Sequence, residues 1–148
     1  MYKQKALYYG ECFYKTGTNI VPDNYLSDEW LESDDDDCYW FIPSMVNMAF
    51  SCELFFKSLL SDGNSMVKGH SLEELFNKLS PDLQKRIMEH PEFKDNDSFF
   101  ENLKSVKNAF VDWRYIFEYD KWEINFIFLE RLCVVVHSVA KEELAITG

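Results

Sequence analysis

Glu53 and Lys57 are the residues whose types and spacing first suggest chemistry in this chain. They lie four positions apart in the otherwise apolar run Pro43–Leu60, PSMVNMAFSCELFFKSLL. This order and spacing favour an ion pair along one face of a helix. Burying such a pair costs several kcal/mol per ion unless further partners satisfy it. We therefore expect the pair to reach a cleft or a polar partner such as His70 or Arg114, either as a network that joins helices or as a ligand site.

Arg114 is a second candidate binding residue because it lies between two aromatic residues, Trp113 and Tyr115. An arginine among aromatic rings can stack on a base or hold a phosphate. The same guanidinium could instead pair with Glu53 or Glu118 and tie helices together. The sequence leaves both roles open.

The composition predicts one folded domain over residues 1–148. With 47% hydrophobic and 17% aromatic residues, the chain can form a core rather than remain disordered. Its net charge of −11 repels polyanions at long range, so a nucleic-acid site would have to be locally basic. The run Asp34–Asp37 lies in a predicted acidic loop insertion, residues 19–41, which lacks the alternating ligands of a calcium loop. An acidic module that binds a basic protein is therefore one possible function class.

Cysteine and histidine usage predicts neither a metal site nor a cofactor. The four cysteines form no CxxC pair and the three histidines are scattered, which favours free thiols in a reducing cytosol. The amino terminus lacks the apolar segment of a signal peptide. The late apolar stretch, residues 124–140, is interrupted by charged residues and is too short for a membrane span. We expect a soluble cytoplasmic protein that does not bind a membrane.

Apolar residues at helical spacing predict an all-α protein, an up-and-down four-helix bundle with short additional helices. His70 precedes Ser71, the predicted cap of one short helix, so a hydrogen bond at the helix start is its simplest role. The predicted helices and their signals are Lys3–Lys15 stopped by Gly17, Pro43–Ser61 ended by Asp62–Asn64, one starting at the Ser71–Glu74 capping box, a short one at Ser80–Pro81, one from Asp97 through Trp113, and Trp122–Leu144.

Three segments in succession resemble the HEPN domain family. They are AFSCELFFKSLL (residues 49–60), KGHSLEELFNKLS (residues 68–80) and FVDWRYIFE (residues 110–118). Their order and spacing are similar to the family's Ala-Phe-x-x-Glu-Leu-x-x-Lys helix, Gly-His-x-Leu helix start and Arg-Tyr stretch. The resemblance implies a bundle of two helical hairpins that usually forms a homodimer. It also implies a role in RNA metabolism, phage defence or toxin–antitoxin systems, as a ribonuclease or as a module that binds RNA, nucleotides or protein.

The family's nuclease motif is an Arg followed a few residues later by a His near the start of the last helix. Arg131 and His137 match it formally, although Leu132 stands where the family often has a polar residue. If they act, the resemblance implies that His137 transfers a proton at a ribose hydroxyl and that Arg131 stabilises the negative charge on the phosphate. They are six positions apart, which corresponds to about 600° of helix rotation and puts them about 120° apart around a regular helix.

Three functions follow from these observations. The first is a non-catalytic or weakly active HEPN-like module that binds RNA, a nucleotide or a protein such as an antitoxin, with Glu53, Lys57, His70, Arg114 and Tyr115 as its candidate binding residues. The second is a metal-independent HEPN endoribonuclease that uses Arg131 and His137. The third is the acidic protein-interaction module.

Overall fold

The computed structural model describes residues 2–19, 41–61, 65, 67–94, 98–115 and 125–147. Their α-helices are α1 (Tyr2–Asn19), α2 (Phe41–Leu60), α3 (Leu72–Asn77), α4 (Pro81–Met88), α5 (Phe99–Ser105), α6 (Ala109–Arg114) and α7 (Phe126–Thr147), with a 3-10 turn at Pro91–Phe93. Within these ranges there is no β-strand, and the prediction of an all-α helical bundle is confirmed. Of these helices, none combines the length and apolarity needed to cross a bilayer.

Helix α2 is the central element of the bundle. It packs most extensively against α1, then against α7, and also contacts α3 and α6. Pro43 lies in its first turn, where the missing N–H leaves no hydrogen bond unmade. Phe55 and Phe56 are fully buried on this helix, as are Ala49 and Cys52. The apolar sequence around nearly the whole of α2 is therefore explained by neighbours on several sides.

The inner face of α1 differs from the predicted one. The three- and four-residue spacing of Tyr2, Ala6, Tyr9 and Phe13 predicts an inner stripe through these residues, but Tyr9 is 55% exposed. The face that packs on the core includes Leu7, Gly10, Tyr14 and Gly17, also at three- and four-residue spacing.

Gly17 does not stop α1, contrary to prediction, because the helix continues to Asn19. It is instead a close-packing position, since a Cβ there would lie 3.1 Å from Cβ of Asn47. The Gly17 carbonyl also accepts a 2.9 Å hydrogen bond from the buried Ser44 hydroxyl. A glycine near a predicted helix end can thus serve helix packing rather than capping.

The predicted starts of the two short helices are confirmed. Ser71 Oγ accepts a hydrogen bond from the Glu74 N–H and Ser80 Oγ accepts one from the Leu83 N–H, each at 3.3 Å. Both serines have extended backbone geometry, as N-cap residues do.

The predicted single helix through Trp113 is wrong, because the chain forms two helices there. Helix α5 ends at Ser105, a turn occupies residues 106–108, and α6 begins at Ala109. Val106 and Ala109 are buried at this break, so the turn itself contributes to the core. The break sets the direction in which α6 carries Phe110 and Arg114.

Helix α7 packs against both α2 and α1, and its carboxyl end is tied to α4. Arg86 of α4 donates to Glu143 at 2.8 Å and to Glu142 at 3.2 Å. Four predictions concern residues outside the described ranges. They are the helix end at residues 62–64, the Asp97 cap, most of the acidic loop (residues 20–40) and the start of the last helix at Trp122.

Candidate functional site

The Glu53 carboxylate joins two basic side chains inside the bundle. Its Oε1 accepts hydrogen bonds from Lys57 Nζ at 2.7 Å and lies 3.0 Å from His70 Nδ1. The Glu53 side chain is 1% exposed and that of Lys57 is 10% exposed, whereas His70 is 63% exposed. Glu53 Oε2 is also buried and has no hydrogen-bond partner among the described residues. The network therefore runs from the core to the surface and ends at His70.

The position of His70 depends on the backbone around it. Gly69 has φ of +108°, a conformation that favours glycine, and this turns the chain just before His70. Two residues later the Leu72 N–H donates to the Lys107 carbonyl at 2.8 Å. This bond fixes the start of α3 beside the turn that precedes α6. His70 is thereby held next to Phe110, with 6.3 Å between the ring centroids.

Aromatic stacking extends this region from α2 to the surface. Phe50 lies three residues before Glu53 on α2, so both project from the same side of the helix. The Phe50 and Phe110 rings stack with centroids 4.7 Å apart and an interplanar angle of 20°. Phe13 of α1 contacts the Phe50 ring edge-to-face at 4.6 Å.

Arg114 lies on the outer side of this aromatic stack. Its Cζ is 4.4 Å from the centroid of Phe110 and 5.3 Å from that of Tyr115. Arg114 is exposed and Tyr115 is 43% exposed. We refer to His70, Phe110, Arg114 and Tyr115 together as the Arg114 surface. A cation over aromatic rings beside an exposed histidine is suited to stacking on a base and contacting a phosphate.

Of the two predicted partners of the Glu53–Lys57 pair, His70 is found in contact and Arg114 is not. Among the described residues Arg114 forms no ion pair, and its observed contacts are the rings of Phe110 and Tyr115. Glu118, the other predicted carboxylate for Arg114, lies outside the described residues. Arg114 and His70 therefore lie in the same region because both are beside Phe110, and not because both contact the Glu53 carboxylate.

His137 occupies a different place, between α7, α1 and α2. Its Nε2 lies 3.0 Å from Glu11 Oε1, and its ring stacks on Phe55 with centroids 4.6 Å apart. Its side chain is 18% exposed, whereas Arg131 is exposed on the same helix. Residues 131–137 are helical throughout, so the rotation of about 120° between the two positions applies.

Tyr14 borders the His137 cluster, with 5.2 Å between the two ring centroids. Burial raises the pKa of the Tyr14 phenol, and the nearby Cys133 and Glu130 raise it further. The phenol therefore remains neutral at ordinary pH and acts in this cluster as a packing group.

The cysteines of the described residues are free thiols with different surroundings. Cys12 is exposed, and Cys52 and Cys133 are buried between α2 and α7. Burial raises the pKa of the Cys52 thiol well above its usual range, and contact with Cys133 raises it further. In the part of the chain that the structure describes, no group of three or more His, Cys, Asp or Glu side chains is arranged to hold a metal ion.

Sequence reasoning missed Phe50, Phe110 and Glu11. Both phenylalanines fit a core pattern, although the spacing of four residues between Phe110 and Arg114 could have indicated their contact. Glu11 and His137 are distant in sequence, so only the packing of α1 on α7 brings them together.

No known family model, curated protein or solved structure matches this chain.

Proposed function

We propose that this protein is a HEPN-like module that binds single-stranded RNA or a nucleotide at the Arg114 surface and has little or no nuclease activity. The HEPN assignment rests on the three resembling segments, and the all-α bundle is compatible with it. The observation that carries the binding function is the exposed Arg114 guanidinium over Phe110, next to Tyr115 and an anchored His70. The resemblance also implies a homodimer, which sedimentation velocity would measure.

The contacts of this surface support base stacking more than catalysis. Phe110 is backed by Phe50, so the ring under Arg114 is held in place. Base stacking on an aromatic side chain contributes about 1–3 kcal/mol per base. Arg114 supplies a positive charge in a protein of net charge −11, which makes the surface locally able to contact a phosphate.

A binding experiment tests this function directly. Fluorescence anisotropy would measure the binding affinity for a labelled single-stranded RNA of mixed sequence and for a duplex RNA of the same length. ATP would be added as a competitor. We expect single strands to bind more tightly than duplex, and Arg114→Gln to lower the affinity about tenfold, which corresponds to about 1.4 kcal/mol. Lys85→Gln removes one charge at an exposed position of α4 and is the matched control.

The results separate a specific surface from a general charge effect. An Arg114→Gln affinity equal to that of Lys85→Gln would contradict the proposed site. Tyr115→Ala should also weaken binding, because an exposed ring that stacks on a base is lost. If no RNA or nucleotide binds at low salt, the proposed function is wrong.

The alternative function is an endoribonuclease, favoured by the pairing of His137 with a carboxylate. The Glu11–His137 contact of 3.0 Å resembles the way a carboxylate orients a catalytic imidazole. Against it, His137 is stacked on Phe55 and only 18% exposed, and Arg131 lies on another side of α7. Incubation with labelled RNA in a chelator, with Arg131→Ala and His137→Asn as variants, decides between the two functions. Cleavage that both variants abolish would establish the enzyme.

A further inference from the structure

One nitrogen of the His70 ring is held inside the bundle, and the other is accessible to a ligand. Nδ1 lies 3.0 Å from Glu53 Oε1, the same oxygen that accepts a hydrogen bond from Lys57 Nζ. An ionised carboxylate only accepts hydrogen bonds, so Nδ1 must carry a hydrogen. The His70 side chain is 63% exposed, and its Nε2 has no hydrogen-bond partner among the described residues. Nε2 is therefore the nitrogen that a ligand of the Arg114 surface would contact.

The hydrogen bonds that Nε2 can form depend on the protonation of the ring. Because the hydrogen of the neutral ring is on Nδ1, its Nε2 has a lone pair and can only accept a hydrogen bond. The protonated ring carries an N–H on both nitrogens and one positive charge. A phosphate oxygen is an acceptor with a negative charge, so it binds the protonated ring and not the neutral one.

The charges around His70 are balanced, unlike those of the whole chain. The charged residues on the elements around the ring are Glu53 and Lys57 of α2, Asp112 and Arg114 of α6, Lys107 of the turn bonded to Leu72, and Lys68, Glu73 and Glu74 of its own segment and α3. These are four cations and four carboxylates, whereas the chain carries a net charge of −11. One further positive charge on His70 would make this region locally cationic, as contact with a phosphate requires.

We propose that His70 is a phosphate-binding residue of the Arg114 surface, and that RNA binding is accompanied by the uptake of one proton from solvent onto Nε2. This inference rests on the proposed function, because it concerns the same surface. Arg114 over Phe110 contacts a base, and the protonated His70 beside the same ring donates a hydrogen bond to a backbone phosphate of the strand. Because the anion binds the protonated ring, the RNA affinity rises as the pH falls.

Calorimetric titration of the full chain at pH 6 and pH 8 tests this proton linkage. The ligand is an unlabelled single-stranded RNA of mixed sequence with a hydroxyl at both ends, because a terminal phosphate itself titrates with a pKa of about 6. Histidine is the side chain that ordinarily changes charge in this range, and we expect about tenfold tighter binding at pH 6 than at pH 8. Titrations at pH 7 in two buffers with different ionisation enthalpies should show the uptake of protons, up to one per site.

Three variants test whether His70 is the linked group. His70→Asn should bind RNA with the same affinity at both pH values. His70→Lys carries a permanent charge, so its affinity should also be independent of pH and should remain high at pH 8. His90→Asn is the matched control: His90 Nδ1 accepts a 3.2 Å hydrogen bond from the Glu92 N–H, and asparagine can form the same cap. This control should keep the full pH dependence.

The outcomes separate this inference from the proposed function. RNA binding without pH dependence or proton uptake would overturn the role of His70 and leave the binding function intact, as would a pH dependence that His70→Asn retains. The absence of RNA binding at either pH would overturn both. The unmodified chain gives these results without any variant, so a variant that fails to fold by circular dichroism does not prevent the test.

A hydrogen bond from a ribose 2′-hydroxyl to the neutral Nε2 is the competing role for His70. Single-stranded DNA of the same sequence distinguishes it, because DNA has the phosphates but not the hydroxyl. A preference for RNA that is independent of pH and is lost in His70→Asn would overturn the phosphate proposal. An equal loss of RNA and DNA affinity in His70→Asn at pH 6 supports it.

Discussion

Replacing one member of the Glu53–Lys57 pair should destabilise the protein far more than replacing both. Glu53→Met leaves the Lys57 ammonium, whose side chain is 10% exposed, without its 2.7 Å partner. Breaking a buried ion pair from one side costs about 3–5 kcal/mol, because the remaining charge stays desolvated. Lys57→Met similarly leaves the 1%-exposed Glu53 carboxylate with His70 as its contact.

The double replacement should recover most of this loss. With both residues changed to Met, the site holds two apolar side chains of similar length and no buried charge. Such replacements are often neutral or even stabilising by about 1–4 kcal/mol. We therefore expect the double variant to lie within about 1 kcal/mol of the unmodified protein, which implies a coupling energy of several kcal/mol.

Urea unfolding followed by circular dichroism measures all four proteins, provided that the transitions are two-state. Arg86→Met is the control, because Arg86 pairs with Glu143 at 2.8 Å and with Glu142 at 3.2 Å, and all three side chains are more exposed than the buried pair. Exposed pairs contribute about 0.2–1 kcal/mol each, so the control should lose no more than about 2 kcal/mol. A loss below about 1 kcal/mol in Glu53→Met, or a double variant no better than the single ones, would refute the buried-pair explanation.

Three further predictions concern glycines and thiols. Gly10→Ala should lower the free energy of unfolding in urea by about 1–3 kcal/mol, although alanine has the higher helix propensity. The reason is that the added Cβ would lie 2.6 Å from Cε1 of Phe55. A variant of equal or higher stability would contradict this packing. Gly69→Ala should cost about 1–2 kcal/mol through its φ of +108°. No steric term is expected, since no described atom beyond the chain neighbours lies within 4 Å of the added Cβ, and an unchanged urea midpoint would contradict the prediction. When the native protein is alkylated with iodoacetamide and its peptides are mapped, Cys12 should be labelled readily and Cys52 hardly at all. The reason is that burial shields the Cys52 thiol and raises its pKa. Comparable labelling of the two thiols would show that the core opens.

The parts of the site that local geometry determines could be predicted from sequence. Residues four apart on one helix are neighbours by construction, so the Glu53–Lys57 pair required no knowledge of the fold. The caps at Ser71 and Ser80 are equally local, since each hydroxyl bonds an N–H three residues later. His70 was one of two predicted partners of the Glu53–Lys57 pair, the other being Arg114. The sequence could not distinguish them, because the position of His70 depends on how Gly69 turns the chain.

The parts that depend on helix breaks and packing could not be predicted. One helix was expected through Trp113, but the turn at residues 106–108 changes the direction of α6 and brings Phe110 against Phe50 of α2. Gly17 was assigned a capping role because a glycine at a helix end and a glycine at a helix contact have the same local sequence appearance. Distances across the bundle, such as that between Glu11 and His137, depend on the relative placement of α1 and α7.

The Glu53 network makes physical sense as an orienting device rather than as a source of stability. Since two apolar residues could fill the same space at little cost, the pair contributes little net free energy of folding. Its distinct effect is on His70, whose 63%-exposed ring would otherwise sample several rotamers in water. A contact of 3.0 Å from Nδ1 to a carboxylate oxygen that Lys57 already holds selects one of them. The double Met variant should therefore remain folded yet hold His70 less firmly, so a loss of RNA affinity in that variant would be attributed to orientation and not to unfolding.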